Sequence, residues 1–236
     1  MTTTGTAAFN LDIADIIEEA FERCGSEART GYHFATARRS LNLLLIEWAN
    51  RGVNLWTIDE VALTLAAGVA AYNLPLNTVD VLEASVRLGD GVNQLDRPVS
   101  RISASMYAGI ASKNTPGIPT QVWVDRRTGA DTPTGVQAPR VVLWPVPDKG
   151  YQMRVWRLRR MQDMGDGGGT ADIPFRFLEA MISGLAWKLA SKLPGVELER
   201  ASLLKSEYEA QFQLAADEDR EKADATFIPF VPAGYR

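Results

Sequence analysis

Leu55-Trp56-Thr57-Ile58-Asp59-Glu60-Val61-Ala62-Leu63-Thr64-Leu65 is the stretch where the hydrophobic period of the chain changes from helical toward two. Upstream, apolar residues return every three or four positions; downstream they tend to alternate with polar ones. Segments 56–65, 71–74 and 81–88 therefore read as strands, punctuated by Gly68, Pro75 and Gly89. A polar stretch follows, with Asp96-Arg97-Pro98 and Thr115-Pro116-Gly117-Ile118-Pro119 as turn signals. Further strands are expected at 121–125, 140–144 and 151–159, and the Gly-, Thr- and Pro-rich segment 126–139 reads as a long exposed hairpin tip. Short strands at this spacing indicate a small antiparallel barrel or sandwich.

Helices flank this middle. The first is expected at 12–24, with Asp12 as N-cap and Gly25 as the stop. Ile13, Ile16, Ile17, Ala20, Phe21 and Cys24 share one face, and Asp15, Glu18, Glu19 and Glu22 the other. The second spans 30–51 and ends at Gly52. Phe34, Leu41, Leu44, Leu45 and Trp48 form its main stripe, while Leu43 and Ile46 point elsewhere, toward a second surface that another subunit can supply.

The loop 165–170 returns the chain to helix, with Asp172 as a cap and Pro174 in the first helical turn. Leu178, Met181, Ile182, Leu185 and Leu189 make the core stripe of this third helix. Ala180, Gly184, Trp187 and Ser191 lie opposite, a small-residue face that hints at a second close contact. After Pro194-Gly195 a long helix is expected over 197–224, with Ala201, Leu204, Tyr208, Phe212 and Ala215 near heptad spacing. The tail 227–236 carries Pro229 and Pro232 and reads as an extended arm.

The expected fold is thus α+β: a bundle of about four helices from both chain ends with an inserted antiparallel β-barrel or sandwich. Residues 1–54 and 172–236 form the helical part with its C-terminal arm, 55–162 the β insertion, and 163–171 a Gly-rich linker.

Composition narrows the function. With 236 residues, 46% hydrophobic and 23% charged, the chain can bury a real core and is neither disordered nor fibrous. No apolar run approaches the ~20 residues that cross a bilayer, and the Thr-rich start lacks the features of a signal peptide. The lone Cys24 rules out an internal disulfide and fits synthesis in a reducing cytoplasm. A net charge of −4 argues against a strong electrostatic grip on nucleic acid. One histidine, His33, removes most metal sites and histidine-dependent triads.

The motifs that tempt a chemical reading fail in detail. Gly165-Asp166-Gly167-Gly168-Gly169-Thr170 sits between strand and helix, where phosphate loops occur. It lacks the required Lys, and the dinucleotide spacing finds Thr170 where Gly is needed, so it reads as a linker. The acidic helix face reads as solvated. Arg154, Arg157, Arg159 and Arg160, interleaved with Val155, Trp156 and Leu158, read as the basic outer face of a half-buried strand rather than a nucleic-acid strip. Cys24 reads as a small core residue. Phe227, Ile228, Phe230 and Val231 would be costly as a free tail, since each large apolar side chain gains roughly 1.5–3 kcal/mol on burial. Docking on a neighbouring protein removes that cost.

The ordered set of elements resembles a phage family. Leu41-Asn42-Leu43-Leu44-Leu45-Ile46-Glu47-Trp48-Ala49-Asn50-Arg51-Gly52-Val53-Asn54-Leu55-Trp56 opens it, followed by Gly68 and Tyr72-Asn73-Leu74-Pro75, then Val79-Asp80-Val81-Leu82. Arg101-Ile102-Ser103 and Tyr107, Gly117-Ile118-Pro119, Val122-Trp123-Val124-Asp125-Arg126 and Leu143-Trp144-Pro145-Val146-Pro147-Asp148 continue it. Pro174, Leu178 and Gly184-Leu185-Ala186 lead into the last helix, so the likeness covers about 10–222. The chain resembles the head-to-tail adaptor and tail tubular protein A group of tailed phages, which includes the tail accessory factors of short-tailed phages.

The resemblance implies a structural virion protein, not an enzyme, with no cofactor, no metal and no membrane. It implies a homo-oligomeric ring, dodecameric in many such adaptors, beneath the portal protein and above a tail or nozzle protein. Such a ring seals the DNA-filled head and offers the tail its platform, while DNA passes its channel without sequence-specific binding. It would be made in the host cytoplasm and end in the neck of the virion. Partner contact is expected at Phe227, Ile228, Phe230, Val231 and Tyr235, and contact between subunits at Leu43, Ile46 and Trp187. The alternatives are another neck or tail-completion ring protein, and a virion-associated cell-wall hydrolase, which would need two carboxylates across a cleft.

Overall fold

Capping sets where the first helices begin. In the computed structural model, which describes residues 5, 11–28, 30–53, 55–89, 91–127, 137–165 and 169–219, helix α1 spans Ile13–Arg23. The Asp12 carboxylate accepts from the Asp15 amide at 2.8 Å, and the Asp15 carboxylate accepts from the Asp12 amide at 3.3 Å. This reciprocal box satisfies two amides that the helix cannot. Helix α2, Gly31–Asn50, is capped by the Thr30 hydroxyl. Gly25 and Gly52 follow these helices with φ of 75° and 79°, where a side chain would be strained.

The β region contains β1 (Ile58–Leu65), β2 (Ala71–Asn73), β3 (Thr78–Leu88), β4 (Leu95–Pro98) and β5 (Ser100–Ile102). A short helix α3 (Ala104–Ala108) is followed by β6 (Pro116–Gly117), β7 (Gln121–Asp125), β8 (Arg140–Trp144), β9 (Val146–Pro147) and β10 (Tyr151–Arg159). One sheet has the order β1-β10-β3-β4 and a second β2-β8-β7-β5, with β6 and β9 forming a small pair. The inner faces of the two larger sheets share one core, with Leu65, Val86, Met153 and Val155 from the first and Val122, Val141 and Leu143 from the second. Of the two expected forms, the sandwich is the one observed; no closed barrel forms among the described residues. The sheets are not wholly antiparallel, because β5 runs parallel to β7 and β6 to β9.

The chain returns through a 3-10 turn at Phe175–Phe177 to α4 (Leu178–Ala190) and α5 (Leu198–Glu218). These helices and the first two enclose a separate core in which Trp48, Tyr208, Phe21 and Phe177 are fully buried. Trp48 sits among Phe177 and Phe212 at ring distances of 5.4 and 5.8 Å.

Several expectations need correction. Among the described residues the bundle from both chain ends has the four expected helices, α1, α2, α4 and α5, but α3 was not expected: it interrupts the polar stretch between strands. Asp172 does not cap a helix. Its carboxylate accepts from Arg159 and from the Gln162 amide, and Pro174 stands at the N-cap of the 3-10 turn instead. The small-residue side of α4 is met within the chain: Ala180 and Gly184 are buried, Trp187 is half-buried and Ser191 exposed, and Tyr208 of α5 packs beside Gly184 and on Trp187. The basic outer face of β10 is also not as expected. Arg157 shares the parity of Met153 and Val155 and turns inward, with 5% of its surface exposed. The 126–139 segment does join antiparallel β7 to β8, but its 128–136 tip lies outside the described residues, as does the end of the expected last helix beyond 219.

Candidate assembly surfaces

Helix α2 divides its apolar residues between two environments. Leu41, Leu44, Leu45 and Trp48 are buried in the helical core, whereas Leu43 and Ile46 are 56% and 58% exposed. Ile46 borders a cleft of about 500 Å³ between α2 and the strands, walled by Leu45, Ala49, Val79, Leu158 and Met161. Arg159 and Arg160 stand at its side.

The cleft is held open by polar links between the helices and the end of β10. The Arg159 guanidinium donates to both Asp172 oxygens, at 2.5 and 3.1 Å. Burial works to raise the Asp172 pKa, but the hydrogen bonds from Arg159 and the Gln162 amide outweigh it and hold the carboxyl below its usual range. Trp56 Nε1 donates to the Asp172 carbonyl at 3.0 Å, and the Met164 amide donates to Asn42 Oδ1 at 3.0 Å. These bonds fix the path from β10 past α2, so the cleft is part of the fold.

A second polar node ties α2, α4 and α5. The Tyr208 hydroxyl accepts from Trp48 Nε1 at 3.1 Å and donates to Glu47 Oε1 at 2.9 Å. Glu47 also accepts from Lys188 and Arg51, and Arg51 donates to Glu209. Burial pushes the Tyr208 pKa up. For Glu47, burial acts upward, but Lys188 and Tyr208 overcome it and hold the carboxylate low. Trp187 stacks on Tyr208 at 5.6 Å, with Lys188 and Lys205 nitrogens 5.0 and 5.5 Å from its ring centre.

Helix α2 thus borders the cleft and carries exposed apolar residues at Leu43 and Ile46. The SU10 adaptor protein family model matches residues 11–229. The chain belongs to the SU10 adaptor protein family. This agrees with the resemblance read from the sequence: the protein is a structural virion component, a head-to-tail adaptor. A chain from a solved structure of the neck of an empty GTA particle, computed with C6 symmetry, is also similar. The match covers 82% of this chain and 84% of that one at 13% identity, but its TM-score of 0.26 is too low to carry an argument. No curated protein matches.

In this adaptor the sequence-derived candidates separate clearly. Leu43 and Ile46 are exposed as expected, and Ile46 borders the cleft. Trp187 is half-buried, and Tyr208 covers one face of its ring. Phe227, Ile228, Phe230, Val231 and Tyr235 lie outside the described residues. Of the Gly-rich loop, 166–168 lie outside the described residues; the Gly165 carbonyl accepts from Arg38 and the Gly169 carbonyl from the Ile13 amide. Three arginines of the basic strip are paired, Arg154 with Glu60, Arg157 with Asp59, Asn77 and Thr78, and Arg159 with Asp172, while Arg160 is exposed. The acidic face of α1 is solvated at Glu18 and Glu22, while Glu19 pairs with Arg23. Cys24 is a core residue whose thiol donates to the Ala186 carbonyl, and burial pushes its pKa up to about 11. His33 lies beside the Phe21 ring at 5.4 Å. Among the described residues no cluster of three His, Cys, Asp or Glu is placed to hold a metal, and no helix is long and apolar enough to cross a membrane.

The exposure of Ile46 follows from its departure from the α2 stripe, but the cleft beside it was not readable. Val79, Leu158 and Met161 come from segments remote in sequence, and each reads alone as an ordinary strand or loop residue. The pairing of β10 with β3 sets Leu158 beside the Val79 stretch, and Met161 follows just beyond the end of β10.

Proposed function

We propose that this adaptor forms a homo-oligomeric ring, dodecameric in number, beneath the portal protein, sealing the filled head and presenting the platform for a tail or nozzle protein. The family match over residues 11–229 carries the reading. The exposed Leu43 and Ile46 support it, because a heterologous contact repeated by rotation closes a ring and covers such residues. In this reading the helical part, 1–54 and 172–236, makes the contacts between subunits through Leu43, Ile46 and the outer face of Trp187. The β insertion, 55–162, faces outward or toward the tail, and 163–171 links the two. The C-terminal residues Phe227, Ile228, Phe230, Val231 and Tyr235 engage the portal. The acidic wall lets DNA slide through the channel, since few phosphate counterions are released. The chain is made in the host cytoplasm.

No catalytic role is proposed. A hydrolase needs a carboxyl held protonated, with its pKa raised. Among the described residues, the carboxylates with shifted pKa, Glu47, Asp96, Asp125, Asp172 and Glu209, move downward, each held by an Arg or Lys.

The test is deletion of 226–236 followed by portal binding. The expected result is loss of binding with the thermal unfolding of the adaptor unchanged. Full portal binding by the shortened chain would overturn the role given to the arm.

A further inference from the structure

We propose that the cleft beside Ile46 is the seat for this chain's own segment Phe227-Ile228-Pro229-Phe230-Val231 in the free protein. The cleft has about 500 Å³ and a mostly apolar lining, within the ~300–1,000 Å³ of sites that bury a compact apolar ligand. Ile46 and Val79 on its border are 58% and 40% exposed, so it presents unpartnered apolar surface at the junction of helices and strands.

Reach and chemistry select the occupant. Helix α5 ends beside Asp219, whose carboxylate accepts from Arg176. Four residues before Arg176, Asp172 holds Arg159 at the side of the cleft. That four-residue step spans at most ~14 Å, whereas the eight residues from Asp219 to Phe227 reach up to ~28 Å and the twelve to Val231 up to ~40 Å. The intervening 220–226, Arg-Glu-Lys-Ala-Asp-Ala-Thr, is polar and suits a solvated tether. The segment then offers four large apolar side chains within five residues, and its proline lowers the entropy lost on ordering. The other terminal segment, 1–10, carries a single aromatic, Phe9. A short tether gives an effective concentration in the millimolar range, so at micromolar protein the chain's own segment prevails over that of a second copy.

The docking is a property of the free chain and needs no portal.

Hydrogen exchange on the full-length chain tests the seat without the portal. Two variants are compared with the wild type: Ile46→Glu, and a quadruple Phe227→Ser, Ile228→Ser, Phe230→Ser, Val231→Ser. Both should exchange several-fold faster over 158–163, and Ile46→Glu should also speed exchange at 227–231. Wild-type protection should not change between about 1 and 50 μM protein, as expected for an intramolecular contact. Unchanged exchange over 158–163 in the quadruple variant overturns the proposal even if Ile46→Glu fails to fold. Protection that rises with concentration overturns it in favour of a second copy. Portal binding, measured separately, fails or succeeds independently of both results.

Discussion

Gly184 and Tyr208 are packed so closely that a β carbon on Gly184 would stand 2.9 Å from the Tyr208 ring and 3.0 Å from Leu44 Cδ1. The ring has no room to yield, because its hydroxyl is bonded to Trp48 and Glu47 and its face lies on Trp187. Gly184→Ala should therefore destabilise the adaptor. Overpacking costs about 1–3 kcal/mol, set against a gain of about 1 kcal/mol in helix propensity. Urea unfolding checks the sign. A more stable variant would show that α4 and α5 are not in this close contact.

Tyr208→Phe keeps the ring and removes the hydroxyl. Trp48 Nε1 then loses its acceptor in the core and Glu47 loses a donor. A buried donor left unsatisfied costs about 1–3 kcal/mol, so the midpoint of thermal unfolding should fall. A Trp48→Phe, Tyr208→Phe double variant should lose less than the sum of the two singles. Strict additivity would argue against the bond.

The Asp59–Arg157 pair should respond asymmetrically. Arg157 is 5% exposed and also donates to Asn77 and Thr78, whereas the Asp59 side chain is 37% exposed. Asp59→Ala strands a buried guanidinium, a change that costs about 3–5 kcal/mol when a buried partner is removed. Arg157→Met leaves a carboxylate that water can reach, and about 1–3 kcal/mol is expected. Thermal melts of the two variants give the order directly, and the reverse order would contradict the inward placement of Arg157.

Stability should fall on acidification. Glu47, Asp125, Asp172 and Glu209 are held below their usual pKa in the folded chain. The unfolded chain therefore binds more protons in the acid range, and stability rises with pH there. The contribution is complete above the ordinary carboxylate values of about 3.9–4.3, and it is lost as pH falls through the lower folded values. Urea midpoints between about pH 7 and pH 3 should decline in that window, and Asp172→Asn should decline less steeply than wild type. Equal slopes would remove Asp172 from the explanation.

Much of the fold is legible in the sequence because its signals are local. The Asp12 box, the Thr30 cap and the glycines at 25 and 52 mark the first two helices, and segments 121–125, 140–144 and 151–159 coincide with β7, β8 and β10. What was not legible depends on long-range pairing. Strands β4 and β5 are short and mostly exposed, so their residues carry no alternation; they exist because β3 and β7 offer edges. Arg157 was misread because a charged residue on a strand defaults to the wet face, and Asp59 and Thr78 were not visible as partners. The opposite side of α4 was expected to meet a second surface and does, but Tyr208 of the same chain supplies it. For the proposed assembly surface, the divergence of Ile46 from the α2 stripe was readable, while the cleft beside it was not.

The central claim is that the protein is a ring-forming adaptor that assembles on its portal. Static light scattering on the purified full-length protein, first alone and then with the purified portal ring, measures this most directly. The account predicts the 25.9 kDa mass of one chain alone and a complex with many adaptor copies per portal once both are present. A protein that stays monomeric beside the portal would contradict it.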